Sequence, residues 1–537
     1  MRNHRIFKII FTTTVFLFSF DAFLYAQDHN IIIVETKNKS FNINKKIYGN
    51  NSVAYDPMTY ENWAKEYYGY SDYGAGIWNP KWRESVKEVI DLVKDAGITI
   101  VRFPGGCGTH HYNWKNAIGK ERIHFLYGID EFLKTCEEVR AESVITVSYF
   151  TGNEQDAADL IEYLNSPNDG RNPNGGIDWA VKRVKNGHFL PYNVKYFEIG
   201  NEVYHGDHQK IKKVEPEDYA RRYLKYYQAM KAVDLSIKIG TVFHTKEWDE
   251  GVLKIIREKV DFGIIHTYPT PVWGKGLEQM DTKEIFRISL AIPIYKDEVN
   301  FQNTLKLLRE KSGRNVPLAI TEYNGGFVQS KPVPYRHCLG TALLNAELLR
   351  IFMKPEHNIL MANYWQFCNG YFGMIKSKTD FIKHDYRYPI NYIKRPNYYV
   401  FELYHKHFGS NLISTDVKCD SYRVKGHSIP YLSVNASTDA AKNRIYLMVI
   451  NRNLDESVTA IIDLKDFVPS GKGEAWILNG PSVDATNEEN PNNVKVRHIK
   501  FKVRSSDPTT SNLQLLTSFQ FTFEPHSLTA IEVDRRQ

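Results

Sequence analysis

Residues 194–202 read VKYFEIGNE, a short apolar run that ends abruptly in Gly200, Asn201 and Glu202. Aromatic and β-branched residues in a run of this length predict a strand, and the glycine after it predicts a tight turn. An amide and a carboxylate are thereby presented where a strand meets its loop. Residues 316–324, VPLAITEYN, have the same form and carry Glu322. Two carboxylates at the C-terminal ends of two strands, with helical segments between, are what a parallel barrel needs to flank one scissile bond.

Outward from these two stretches, strand-like runs alternate with helix-period runs from residue 41 onward. Strands are predicted at 46–51 (KIYGNN), 98–104 (ITIVRFP), 143–149, 194–202, 237–243, 260–268 (VDFGIIHTY), 316–324 and 359–367 (ILMANYWQF). A helix after the first strand is marked by Asn79 as N-cap, Pro80 in the first turn and Gly97 as a stop. Another is predicted at 129–140. A third opens at Glu215-Pro216-Glu217, where Tyr219, Tyr223, Tyr226, Met230 and Val233 fall on one face, a core stripe rather than a site. Gly105-Gly106, after the second strand, predict a tight turn or a close approach to a ligand. Eight strand-helix units predict a closed (β/α)8 TIM barrel, with Glu202 on strand four and Glu322 on strand seven.

After Arg395-Pro396 the texture changes. A last helix is predicted at 398–407, then alternating segments at 444–450, 458–464, 475–478, 519–523 and 528–533. Phe519, Phe521 and Phe523 share one face, and Gln520 and Thr522 the other. These predict a C-terminal antiparallel all-β sandwich, which the strand at 30–36 joins. Residues 484–493, polar and acidic, are expected to be a mobile loop. The division is therefore a targeting segment at 1–26, an N-terminal strand at 27–42, a catalytic barrel at 43–396, and the last helix with the sandwich at 397–537.

At 537 residues the chain exceeds what one core fills, in keeping with two domains. Aromatics reach 13%, with 34 Tyr and 9 Trp, which suits a large core and also stacking on sugar rings. A net charge of +7 without a basic run points to neither nucleic acid nor a membrane surface. Arg2, Arg5 and Lys8 precede an apolar stretch at 9–20, and Leu24-Tyr25-Ala26 form a cleavage site. Export to the periplasm or the exterior is expected, with no lipid-anchor cysteine and no membrane span. Cys107, Cys136, Cys338, Cys368 and Cys419 are odd in number and lack metal spacing, so they are expected to be mostly buried and reduced. A homo-oligomer is compatible with the sequence.

Cleavage with retention needs one carboxyl group to protonate the leaving oxygen and a second, roughly 5 to 5.5 Å away, to attack the anomeric carbon. Glu202 is assigned the first role, general acid/base, and Glu322 the second, nucleophile. Strand alternation puts His266 and Tyr268 on one face, toward the barrel mouth. Tyr268 is expected to donate to Glu322, and a neutral His266 to bind a hydroxyl or to pack as a structural histidine. Asn201 is a candidate for the sugar 2-hydroxyl or a plain turn residue. Arg102 is expected to pair with Glu322 or Glu198, tuning a nucleophile or merely bracing the barrel. Trp114, Trp273 and Trp365 are candidate sugar platforms, with core packing the alternative for Trp365. His110, His111, His205 and His208 lack accompanying carboxylate spacing, so neither a metal nor a cofactor is expected.

IYGNN (47–51), VRFPGG (101–106) with HYNW (111–114), EIGNE (198–202), AMKAVDLSIKIG (229–240), HTYP (266–269), ITEYN (320–324), RPNYYVFELYHKHFG (395–409) and YLMVINRNLDE (446–456) together resemble the α-L-arabinofuranosidases of glycoside hydrolase family 51. The resemblance runs from about residue 47 to the end of the chain. It implies that Glu202 matches the family's acid/base, Glu322 its nucleophile, Asn201 its 2-hydroxyl contact and Tyr268 the nucleophile's partner. Two positions depart from the family pattern. Gly49 is followed by Asn50, Asn51, Ser52 and Val53 rather than by the family's sugar-binding Glu, and Cys107 replaces an Asn. The alternative is an endo- or exo-β-glycanase of the same clan acting on a xyloglucan, xylan or glucan backbone, with an extended cleft built by the aromatic stretches 60–78 and 370–392. A third reading, from a different class, is a non-catalytic carbohydrate-binding protein.

Overall fold

The computed structural model describes residues 30–56, 76–79, 82–207, 210–368, 371–377, 392–503 and 517–536. The expected targeting segment at 1–26, Pro80, His208 and most of the two aromatic stretches lie outside the described residues.

Eight parallel strands close a barrel: Gly49–Asn51, Ile100–Phe103, Glu142–Val147, Tyr196–Ile199, Lys238–Val242, Phe262–Thr267, Leu318–Tyr323 and Ile359–Tyr364. Each pairs with the next in chain order, and the eighth closes on the first. Parallel strands covered by helices are buried on both faces, which is why they read as continuous apolar runs rather than alternating ones. Strand seven is buried at every position.

Helix Pro216–Val233 buries Tyr219, Tyr223, Tyr226 and Met230 against the strands. Each such side chain contributes roughly 1.5–3 kcal/mol on burial. The Tyr219 hydroxyl donates to Ile199 O and accepts from Val242 N, both at 3.0 Å, so the core stripe also fixes the end of strand four.

The first helix starts later than Asn79. Trp78–Asn79 pair antiparallel with Glu84–Ser85, and Asn79 Oδ1 accepts from Trp82 N at 3.3 Å, a turn that competes with helix initiation. The helix spans Lys87–Asp95, and Gly97 follows it at φ +71°. Strand one is likewise shorter, because Asn44 caps a 3-10 turn at Lys45–Ile47. Between strands six and seven, Thr282–Ile292, a π turn at Pro293–Asp297 and Glu298–Ser312 run on without a break.

The C-terminal sheet folds over so that its two halves share a core containing Ile32, Val34, Leu447, Val449, Ile462, Phe519, Phe521, Phe523 and Ile531. Asn30–Glu35 enters it between Asn411–Lys418 and Val458–Lys465. It runs antiparallel to the former but parallel to the latter, so the expected all-antiparallel sheet is corrected at this pairing. Strands at Asn411–Lys418, Leu432–Thr438 and Lys495–Lys502 join those read from the sequence. Leu432–Thr438 is buried at every position, because its second face lies on barrel helix Leu339–Phe352. There Ser433 Oγ donates to Glu347 Oε2 at 2.7 Å, and Arg452 reaches the same oxygen at 2.8 Å.

Residues 484–493 are not the mobile loop expected. They dock on the barrel, with Asn487 fully buried. The carbonyls of Val483 and Ala485 accept from Gly340 N at 2.7 Å and Leu339 N at 3.0 Å, satisfying first-turn donors that helix Leu339–Phe352 cannot satisfy itself.

Candidate active site

Glu202 emerges three residues beyond strand four, on a turn in which Gly200 has φ +78° and Glu202 itself φ +41°. A Cβ on Gly200 would come within 2.6 Å of Val203 Cγ1, so the sharp exit requires glycine. A glutamate in the left-handed region is uncommon and costs roughly 1–3 kcal/mol, a strain that clusters at functional sites. Glu322 sits inside strand seven, opposite His266 of strand six. The side chain of Glu322 is 6% exposed and that of Glu202 is 21% exposed, so one carboxylate lies at the floor and the other faces the opening.

Carboxylate oxygens of Glu202 and Glu322 approach within 4.8 Å. That closeness matches the narrow spacing of retaining glycosidases and leaves no room for the water that inverting enzymes hold between carboxyls roughly 6.5–9.5 Å apart.

Arg102, fully buried, organises the floor. Its Nη1 donates to Glu322 Oε1 at 2.7 Å and its Nη2 to Asn201 Oδ1 at 2.8 Å, while Nε bonds Glu198. Both carboxylates named as its alternative partners are therefore engaged at once. Burial works against the guanidinium charge, but Glu198 and Glu322 outweigh it and raise its pKa. Tyr268 donates to Glu322 Oε2 at 2.7 Å, and burial, with the Glu322 charge, pushes the phenol well up, so it stays a donor. Arg102 thus holds Asn201 by its oxygen, leaving Nδ2 as the donor end, 3.9 Å from Cys107 Sγ.

His266 is tied to Glu202 on one side and to strand seven on the other. Its Nδ1 lies 2.8 Å from Glu202 Oε1, and Nε2 lies 3.1 Å from Thr321 Oγ1. Burial pulls its pKa down, yet Glu322 and Glu202 together raise it, which favours the imidazolium. Burial in turn pushes the Glu202 carboxyl up, but the hydrogen bond and charge of His266, then His205 and Arg102, hold it below the ordinary carboxylate range. The 2.8 Å contact thus couples the titration of the two groups.

A cavity of about 800 Å³ opens above these groups. Asn201, Glu202, His266, Tyr268, Glu322 and Trp365 line it, as do Cys107, Tyr371 and Phe372. Trp365 lies against the Gly105-Gly106 turn, where a Cβ on Gly106 would fall 2.4 Å from its ring. Those glycines admit an indole rather than a ligand. Trp273 stands at the mouth, 64% exposed, edge-on to Tyr268 at 6.5 Å. Opposite, Tyr204 and His244 stack at 3.8 Å.

Trp114 does not join them. It is buried, its Nε1 donates to Asp156 O at 3.0 Å, and it packs on Trp179 and Tyr163. The void beside it, about 30 Å³, is too small for a sugar. Its place in the sequence after strand two suggested the mouth, but the 3-10 turn Trp114–Ala117 folds it back into the core.

Supporting residues that sequence reasoning did not find are Asn51, which accepts from Arg102 at 3.3 Å, and Thr146, which donates to Glu198 at 2.6 Å. Thr321 is a third. Asn51 and Thr321 are polar residues inside apolar barrel strands, and that placement was their available signal.

Among the described residues, Glu202, His266 and Glu322 form the group close enough to hold a metal ion. Their donor atoms are already matched to one another, to Tyr268 and to Arg102, and a buried guanidinium 2.7 Å from Glu322 opposes a second cation there.

Comparison with known proteins adds the following. Residues 92–284 match the model of the α-L-arabinofuranosidase 1 domain, and residues 322–527 that of the α-L-arabinofuranosidase C-terminal domain. An intracellular exo-α-L-arabinofuranosidase of Bacteroides ovatus is 24% identical over 444 residues, 77% of this chain and 81% of that protein. A probable α-L-arabinofuranosidase C of Aspergillus niger is 25% identical over 488 residues, 83% and 87% of the two chains. In fold, a crystal structure of an α-L-arabinofuranosidase from Thermotoga maritima in complex with arabinose has a TM-score of 0.74 and 24% identity, covering 94% of this chain and 100% of that one.

Proposed function

Because the chain belongs to the α-L-arabinofuranosidases of glycoside hydrolase family 51, we propose that it hydrolyses α-L-arabinofuranosides by double displacement, with Glu322 as nucleophile and Glu202 as general acid/base. The observation that carries the mechanism is the pair of carboxylates within 4.8 Å, each with a different set of partners. Glu322 is held by Arg102 and Tyr268, which favour its ionised, oriented form. Glu202 is hydrogen-bonded to His266 and faces the cavity.

In the first step a Glu322 oxygen bonds to the anomeric carbon while the glycosidic oxygen leaves with a proton from Glu202, which His266 supplies across their hydrogen bond. Substrate filling the cavity excludes water from Glu202 and shifts that proton toward its oxygen. The resulting ester removes the Glu322 charge. His266 then loses one of the two carboxylates that raise its pKa and stays neutral, so Glu202 is left as the base. In the second step Glu202 takes a proton from water, whose oxygen bonds to the anomeric carbon as the ester breaks. In this reading Asn201 Nδ2 donates to the sugar 2-hydroxyl, a contact that strengthens in the transition state.

Export is part of the same proposal, supported by the charged and apolar pattern of residues 1–26. Cell fractionation tests it: activity confined to the cytoplasm would reject it.

The decisive test of the reaction is turnover of an aryl α-L-arabinofuranoside with methanol as acceptor, followed by NMR. Double displacement yields methyl α-L-arabinofuranoside. The β anomer would refute retention, and a wild-type protein inert on arabinofuranosides would refute the substrate class.

A further inference from the structure

The docked sandwich loop ends directly behind the cavity wall. Glu488, on that loop, accepts from Arg395 Nε at 2.7 Å and Nη2 at 3.2 Å, and from Lys376 Nζ at 2.8 Å. Arg395 is fully buried, and its Nη1 donates to Gly373 O at 2.6 Å. Lys376 belongs to strand Ile375–Ser377, which pairs with Tyr392–Lys394 immediately before Arg395. Glu488 therefore grips both strands of an antiparallel pair, the first of which follows Tyr371 and Phe372, two residues that line the cavity above Glu322.

The same wall is held from the barrel side. Arg336 Nε donates to Tyr371 O at 2.7 Å with its guanidinium 4.2 Å from the Tyr371 ring, and His337 Nε2 lies 2.5 Å from the same carbonyl oxygen. Four basic side chains, Arg336, His337, Lys376 and Arg395, thus converge on one short segment. Burial pushes His337 toward its neutral form, so its bond to Tyr371 is that of an uncharged imidazole. Bringing two guanidiniums and an ammonium together is costly without a nearby anion. Glu488 supplies one, from a different domain.

We propose that Glu488 is a positioning residue for the barrel's reaction: through Arg395 and Lys376 it fixes the Tyr371–Phe372 wall and so sets how tightly the cavity binds its sugar. The proposal rests on the cavity being the arabinofuranoside site, and it gives the sandwich a part in substrate binding. Glu488 touches neither substrate nor reacting atoms, so its loss acts on binding more than on chemistry.

Glu488→Gln keeps the shape and removes the charge. With an aryl α-L-arabinofuranoside, KM is expected to rise roughly three- to tenfold, the scale of one lost ordering contact, with kcat within about twofold. Tyr371→Ala is expected to raise KM similarly, and the double variant to add little, because both act on one wall. Amide hydrogen exchange of residues 371–377 is expected to accelerate in Glu488→Gln while helix Pro216–Val233 is unchanged. Lys376→Met, at a partly exposed side chain, removes one arm of the tether and carries the test if Glu488→Gln does not fold. Wild-type KM and wild-type exchange in these variants, even with a lowered Tm, would overturn the proposal. Exchange needs no substrate, so it judges the tether separately if the wild-type protein proves inactive on arabinofuranosides.

Discussion

His266 Nδ1 lies 2.8 Å from Glu202 Oε1 and 3.6 Å from Glu322 Oε2, so one imidazole stands between the two carboxylates of the site. Its charge state decides whether those carboxylates repel or are bridged.

The pH dependence follows in sign. Burial alone lowers the His266 pKa, but the two carboxylates raise it above its usual 6.5. A group whose pKa is raised on folding stabilises the fold fully below its unfolded value, and that stability is lost as pH rises through the folded value. Glu202 is lowered from 4.5, so its share is present above that value and lost as pH falls through the folded one. The Tm difference between wild type and His266→Asn is therefore expected to be largest between 4.5 and 6.5 and to shrink on the alkaline side. Melts across this range check it, and a difference that grows with pH would rule out the imidazolium.

Glu322→Ala is expected to lower kcat by at least about 10⁴-fold whatever the leaving group, because no other carboxylate can form the ester. Glu202→Gln is expected to cost about 10²–10⁴-fold on a natural alcohol leaving group, yet little in the first step for a dinitrophenolate that needs no proton. Steady-state and pre-steady-state rates on both substrates separate the two roles. Equal losses on both by Glu202→Gln would remove it as proton donor.

Tyr268→Phe deletes a donor 2.7 Å from Glu322 Oε2. A hydrogen bond to a charged group is worth roughly 1.5–3 kcal/mol, so kcat should fall about 10- to 100-fold. KM for the same glycoside should change little. A variant with wild-type kcat would show that Arg102 alone orients the nucleophile.

Trp114→Ala is expected to lower stability by roughly 3–5 kcal/mol, as for a large aromatic removed from a core. Its KM should match wild type, since the indole packs on Trp179 and Tyr163 away from the cavity. A raised KM with unchanged unfolding midpoint in urea would return Trp114 to the binding surface.

Barrel topology and the strand-end carboxylates were legible because parallel barrel strands are apolar on both faces and a polar terminus breaks that run. Arg102 could be placed on an inward strand, but its simultaneous hold on Glu198, Glu322 and Asn201 depends on strands two, four and seven facing one another across the closed barrel. His266 could be placed toward the barrel mouth, but its contact with Glu202 could not be read, since sequence distance does not reveal the neighbours that set its pKa. Ser433 and Asn435 hid the strand Leu432–Thr438. Their alternation with Val434 and Ala436 looks like a solvated face, yet that face is covered by the barrel helix bearing Glu347. Residues 484–493 misled for the same reason, because a charged loop is polar whether it faces water or a buried arginine.

The strand Asn30–Glu35 has a further consequence for the order of assembly. Asn30 Nδ2 donates to Thr459 O, 429 residues away in sequence. During synthesis the barrel's local strand-helix units can close one after another, but this strand's neighbours do not yet exist. This strand is thus made before its partners by some 380 to 430 residues of chain. Removing it would open the sheet between Asn411–Lys418 and Val458–Lys465 and leave two unpaired edges, so truncation to the barrel's start should produce a self-associating protein rather than a smaller enzyme.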